Sequence, residues 1–383
     1  MAERQIGIII NGATSRIATT QHLESALVPI RDEGGIDIAG EKVVPQLLLA
    51  GRNEEKLKSL ASRLSIDNWT PDLDAALADP DYPIFFDGAV THLRAETLKR
   101  AVEAGKHIYT EKPVAPSIAE GVEIARVAEA RGLKHGAVED KIYLPGWRKL
   151  QALMDEGFFG TVRQFRLEFG WWVFDGHEVT CQRPSWNYKK SDGGGLIFDM
   201  HPHWRYMIET ALGPIARVVS AAWTATPERV DEKGQPYKVD VEDSTAALLQ
   251  LESGAFGTIN ASWATRVWRD EPLEFQVDGT KGSAIVGLHH CHIQSMAETP
   301  SVKWSANAEL AVDHRSEWRP VSDLPAGTNS YRVGWEGFLA HVLTDAPFSA
   351  TLHAGIRDVQ LAEACHLSQR EGRWIDMPTI TID

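Results

Sequence analysis

Apolar and polar positions alternate between two periods along the first third of the chain. Ile6-Gly7-Ile8-Ile9-Ile10 is a short apolar run, and Val44 to Ala50, Ile84-Phe85-Phe86 and His107-Ile108-Tyr109 repeat its β-rich texture beside turn residues. The intervening segments carry helix signals. Asn53 is placed to cap a helix over 54–64, Gly105 to end one over 95–104, and Ser117 to cap one closing at Gly132. This alternation predicts β-α units feeding a parallel sheet over residues 5 to 140, with Leu133 to Val138 as a further strand. The stretch Arg31 to Pro45 has three glycines and mixed charges and reads as an inserted surface loop.

Beyond Pro145 one more helix runs to about Glu156, and the texture then becomes that of successive strands: Arg163 to Phe169, Ala246 to Leu251, Ala255 to Trp263 and Leu273 to Val277. Strands following β-α units predict a second, α+β domain on a mostly antiparallel sheet. Trp335 to Leu343 and Gly355 to Arg370 read as helices able to pack back on the first domain. The expected division is 1–142 and 143–383.

Composition narrows the class. With 43% hydrophobic and 24% charged residues the chain reads as an ordinary globular protein, and its net charge of −14 disfavours a nucleic-acid partner. Cys181, Cys291 and Cys365 lie far apart, which points to neither a disulfide framework nor a thiolate metal site. No stretch approaches the about 20 apolar residues of a membrane span, so neither a membrane partner nor a secretory signal is expected, and the cytoplasm is the expected compartment.

Two places carry candidate chemistry. Gly12-Ala13-Thr14-Ser15-Arg16-Ile17-Ala18 follows a strand and opens a helix, where backbone N–H groups can receive a pyrophosphate. Past the second strand, Gly51-Arg52-Asn53 has an arginine and no carboxylate, which favours NADP over NAD because a guanidinium can pair a 2′-phosphate. Thr91, Glu111 and Lys112 complete the expected dinucleotide contacts. Downstream, Thr110-Glu111-Lys112-Pro113 ends a predicted strand, and Gly193-Gly194-Gly195 precedes Asp199 and His203, spaced to share one helix face. A Lys, an Asp and a His brought together could activate a hydroxyl: the imidazole takes the proton, the carboxylate orients, and the ammonium steadies the oxyanion.

In these residues the chain resembles the glucose-fructose oxidoreductase, inositol dehydrogenase and rhizopine-catabolism (Gfo/Idh/MocA) family. The Glu-Lys-Pro signature matches at Glu111, Lys112 and Pro113; the glycine stretch followed by Asp-x-x-x-His matches at Gly193 to Gly195, Asp199 and His203. The resemblance implies an α/β fold: an N-terminal Rossmann dinucleotide-binding domain and a C-terminal α+β domain. The second domain's large open, mostly antiparallel sheet would bear the substrate pocket and an oligomer interface, as homodimer or homotetramer. It also implies Lys112 and His203 as the catalytic pair with Asp199 in support, and Lys141 as a substrate contact. Ser15 and Ala18 in the phosphate loop, and His201 where the family usually has glycine, depart from the pattern.

Trp172, Trp186, Tyr188 and Arg183 stand around the loop before the glycine run, where aromatic faces suit sugar C–H surfaces and polar groups suit hydroxyls. The expected function is NAD(P)-dependent hydride transfer at a secondary hydroxyl or ketone of a sugar, polyol or related cyclic substrate. Two competitors stand beside it: a lyase or glycosidase working through a transient keto intermediate on a retained dinucleotide, and a non-catalytic dinucleotide sensor. His289-His290-Cys291-His292 is dense in donors but lacks further ligands at suitable spacing, so no metal is assigned.

Overall fold

A computed structural model describes residues 3–302, 313–322 and 329–381. The chain divides into two compact units, Met1–Asp140 with Thr328–Gln360 and Thr379–Asp383, and Lys141–Gly327 with Leu361–Pro378.

The first unit is built on β1 (Glu3–Asn11), β2 (Ile36–Ile38), β3 (Glu41–Ala50), β4 (Asn68–Thr70), β5 (Ile84–Asp87), β6 (His107–Thr110) and β7 (His135–Ala137). Their order is β2-β3-β1-β5-β6-β7, with β4 beside β3, and every pairing is parallel except β2 with β3. The continuous apolar run of β1 follows from burial on both faces. Ile6, Ile8 and Ile10 join one core with Leu23, Trp335 and Phe338; Ile9 joins the other with Leu98 and Ile124. Trp335 and Phe338 lie on the helix Ser330–Thr344, whose aromatic face explains why this distant segment joins the first unit. The segment 31–45 is no loop. After a helical turn, β2 and β3 form a hairpin through Ala39 (φ 53) and Gly40 (φ 86), the two left-handed residues that match a two-residue turn to strand twist.

In the second unit β8 (Val162–Gly170), β9 (Ile215–Trp223), β12 (Ser244–Leu251), β13 (Phe256–Ser262), β14 (Leu273–Gly279), β15 (Gly282–Val286), β16 (Cys291–Ser295), β17 (Arg319–Pro320) and β18 (Ile375–Asp376) form one nine-stranded sheet. Among these described strands only β8 and β13 pair in parallel. A separate hairpin pairs β10 (Glu228–Val230) with β11 (Pro236–Lys238). Along β13, Gly257, Ile259 and Ala261 are buried while Phe256, Thr258 and Asn260 are exposed, the period-2 signature of a sheet covered on one side. The helices Pro145–Asp155 and Leu196–Leu212 supply the cover through Trp147, Leu150, Met200 and Trp204.

Candidate active site

In the first unit, Gly12 (φ 68) turns the chain after β1, and a Cβ there would lie 2.7 Å from the Ala89 backbone nitrogen. The loop that follows is fixed by Ser15, whose hydroxyl donates to the Gly88 carbonyl at 3.0 Å and accepts the Ala18 N–H at 3.2 Å. Ser15 therefore closes the turn with its side chain, and the early N–H groups of the helical turn starting at Arg16 have no intrahelical acceptors. Such a donor set suits a pyrophosphate. Ala13 is buried, Ile17 is half-buried, and Thr14 and Arg16 are exposed. At the end of β3, Gly51 is half-buried and Arg52 exposed; Asn53 accepts the Lys56 N–H at 2.9 Å as the cap of the helix Glu54–Arg63. Thr91 opens the helix Thr91–Glu103.

Glu111, Lys112 and Pro113 leave the carboxyl end of β6. Glu111 is buried, takes the Lys112 N–H on Oε2 at 3.2 Å, and receives His22 Nε2 on Oε1 at 2.7 Å. Burial alone would raise its carboxyl, but the His22 hydrogen bond, with Lys112 and Arg94 nearby, holds it below its ordinary value. Arg94 ties the same loop down, donating to the carbonyls of Pro113 at 2.6 Å and Ala89 at 2.7 Å and pairing with buried Asp87.

In the second unit the glycine run lets the helix Leu196–Leu212 start in a crowded place. A Cβ on Gly194 would lie 2.3 Å from the Asn187 carbonyl oxygen, and one on Gly195 (φ 121) 2.7 Å from Glu242 Oε1. Glu242 caps that helix: its carbonyl takes the Leu196 N–H at 3.0 Å and its carboxylate the Ile197 N–H at 2.9 Å. Asp199 and His203 lie on this helix one turn apart. Asp199 is ion-paired with Arg183, whose guanidinium is sandwiched between Phe174 at 4.6 Å and Trp263 at 4.7 Å.

His203 is buried, 7% exposed, and its Nδ1 lies 2.6 Å from the Tyr206 hydroxyl, which also accepts the Lys141 N–H at 3.3 Å. With Nδ1–H donating to Tyr206, Nε2 keeps the lone pair that a general base needs. Tyr206 was not singled out from the sequence, although a hydroxyl three residues after a histidine on one helix was the available signal.

The expected substrate residues separate by burial. Trp172 and Trp186 are 49% and 45% exposed, whereas Tyr188 is fully buried with its hydroxyl donating to the Phe174 carbonyl at 2.6 Å. Tyr188 is floor rather than rim. Beneath it Arg229 stacks on its ring at 4.3 Å and pairs with buried Asp243 at 2.9 Å.

His289 and His290 are exposed, while burial pushes the Cys291 thiol up to about 12. Among the described residues one group, Glu129, His135 and His353, brings three ligand atoms within 4.8 Å. There the Leu352 N–H donates to His135 Nδ1 at 3.3 Å, so Nε2 carries the proton and donates to Glu129. The group is a hydrogen-bonded cluster in that tautomer. Among the described residues no helix is long and apolar enough to cross a membrane.

Residues 33–137 match the family model described as oxidoreductase family, NAD-binding Rossmann fold, and residues 147–285 match the GFO/IDH/MocA C-terminal domain. The chain is 43% identical to D-xylose dehydrogenase of Paenarthrobacter nicotinovorans over 382 residues, covering 98% of each. It is 26% identical to levoglucosan dehydrogenase of Pseudarthrobacter phenanthrenivorans over 252 residues, 62% of this chain and 64% of that one. A solved levoglucosan dehydrogenase in complex with NADH and L-sorbose superposes with a TM-score of 0.82 at 20% identity, covering 98% of this chain and 99% of that one.

Proposed function

Because the chain belongs to the Gfo/Idh/MocA family of oxidoreductases and carries its NAD-binding Rossmann domain, we propose that it oxidises a secondary hydroxyl of a sugar, or reduces the corresponding ketone. The observation that carries this reading is the His203–Tyr206 pair, a polar device on a helix with twelve of its seventeen residues buried. The likeness to D-xylose and levoglucosan dehydrogenases supports a sugar-like substrate. His203 takes the hydroxyl proton, Lys112 hydrogen-bonds the reacting oxygen and steadies the developing alkoxide, and Asp199, held by Arg183, orients. When bound, the nicotinamide supplies the hydride acceptor. Trp172 and Trp186 offer half-exposed faces to the sugar ring, and Lys141 presents a further donor.

Dinucleotide contacts fall to Gly12, Ala13, Thr14, Ser15, Arg16 and Ile17 around the pyrophosphate, with Thr91, Glu111 and Lys112 bordering them. Exposed Arg52, flanked by Gly51 and Asn53, supports NADP over NAD. Trp223, Leu248 and Phe256, exposed on the uncovered side of the large sheet, support a homodimer or homotetramer.

One assay tests the chemistry. Reduced-nicotinamide absorbance is followed with NAD or NADP against sugars, inositols and sugar acids, for the native chain, Lys112→Ala and His203→Ala. Lys112→Ala is expected to lower kcat by about 10²–10⁴ with folding preserved. Full turnover in folded Lys112→Ala would overturn the catalytic assignment, and better use of NAD than NADP the cofactor preference. Light scattering on the same sample tests the oligomer, which a monomer would refute.

A further inference from the structure

The histidine that holds Glu111 has a second partner, and that partner fixes its protonation. Trp335 Nε1 lies 3.0 Å from His22 Nδ1, and His22 and Trp335 are both fully buried. An indole N–H only donates, so His22 Nδ1 accepts; its proton therefore sits on Nε2 and is directed to Glu111 Oε1 at 2.7 Å. Glu111 in turn takes the Lys112 N–H on its other oxygen. One hydrogen-bond chain thus runs from the helix Ser330–Thr344 to the backbone of Lys112.

His22 reaches this place from the helix Ala18–Leu27, whose winding is of the wide, i to i+5 kind. Facing it are the Glu111 carboxylate, with Lys112 and Arg94 close to that carboxylate, and the edge of Tyr331 at 5.1 Å. The Tyr331 hydroxyl is itself engaged with Asp140, near Arg16.

We propose that His22, locked as one neutral tautomer by Trp335, is the positioning residue that sets Lys112 through Glu111. This rests on the proposed catalytic role of Lys112. A buried carboxylate without its donor would turn toward other partners and carry the Lys112 backbone with it, and sub-ångström misplacement of a catalytic group is costly.

His22→Leu removes both hydrogen bonds. It is expected to lower kcat by about 10² while the dinucleotide Kd, read by tryptophan quenching, changes little. His22→Gln can accept from the indole through its carbonyl and donate to Glu111 through its amide, and is expected to recover most of the loss. Trp335→Phe keeps an aromatic ring in the core but removes the N–H that His22 Nδ1 accepts, so kcat should fall by about tenfold with the dinucleotide Kd little changed. Normal kcat in folded His22→Leu, or a His22→Gln no better than it, refutes the proposal. Should His22→Leu fail to fold, Trp335→Phe decides, and an unchanged kcat is the refuting outcome. Failure of the Lys112 reading is separate, since it appears as turnover in Lys112→Ala.

Discussion

The surroundings of Lys112 in the first unit and the loop from Trp171 to Tyr188 in the second both hold candidate site residues, yet they are built differently. Around Lys112 the polar groups sit at strand ends, are buried, and are each held by side chains from other elements: Glu111 by His22, Asp87 by Arg94 and Asn11. The loop is made of short 3₁₀ turns, Trp172–Phe174 and Ser185–Tyr188, with half-exposed tryptophans above and a buried ion pair below. Groups that must meet a reacting atom within tenths of an ångström are placed on rigid elements, while ring recognition tolerates a loop. The loop then depends on its foundation.

Arg229→Met tests that dependence hardest. Arg229 and Asp243 are both fully buried, and Asp243 also accepts N–H groups from Ala225 at 2.6 Å and Thr226 at 2.9 Å. Removing the cation strands a buried carboxylate, and a loss of about 3–5 kcal/mol in unfolding free energy is expected, read as a lowered urea midpoint. Arg229→Met/Asp243→Asn should recover part of it. A single variant as stable as the parent would mean that the loop does not rest on this pair.

A smaller effect sharpens the kinetic side of the contrast. Trp172→Ala and Trp186→Ala are expected to raise the sugar KM by up to about tenfold each and to leave kcat nearly unchanged, the reverse of Lys112→Ala. A fall in kcat without a change in KM would place these indoles with the catalytic groups and erase the distinction between the two regions.

The same contrast governs what the sequence reveals. The Asn53 and Ser117 caps, the strands β1, β3, β5, β6, β7, β8, β12, β13 and β14, and the placement of Glu111-Lys112-Pro113 at a strand end are visible because they depend on local spacing. The β2–β3 hairpin was hidden because its turn begins with Ala39, a residue rarely found at positive φ. His22 was hidden by a helix of unusual winding, which breaks the 3.6-residue period on which pattern reading relies. Arg229 and Asp243 lie 14 positions apart across a hairpin of three-residue strands, and Trp335 lies 313 positions from His22. Such partners are chosen by tertiary packing, which no local period records.

The smallest expected effect concerns acid, and it distinguishes a buried group with no assigned catalytic part from those that have one. His201 is fully buried in the helix Leu196–Leu212, its Nδ1 3.3 Å from the Cys365 sulfur, and burial, with His366 nearby, holds its imidazole down to about 3. An unfolded chain binds that proton near pH 6.5 whereas the native one does not, so the unfolded state holds more protons at every pH between these values. Stability must therefore fall as pH drops from about 6.5. His366, held down to about 4 by burial and by Arg370 and Lys190, adds to the fall, while Glu242, pushed up by its own burial, opposes it. His201→Leu deletes one contribution and leaves the other two, so the urea midpoint should decline less steeply between pH 6.5 and 4 than in the parent, with kcat at pH 8 retained. Parallel declines would mean that His201 takes up its proton as readily in the folded chain as in the unfolded one, and that the helix carrying Asp199 and His203 opens to water beneath its buried face.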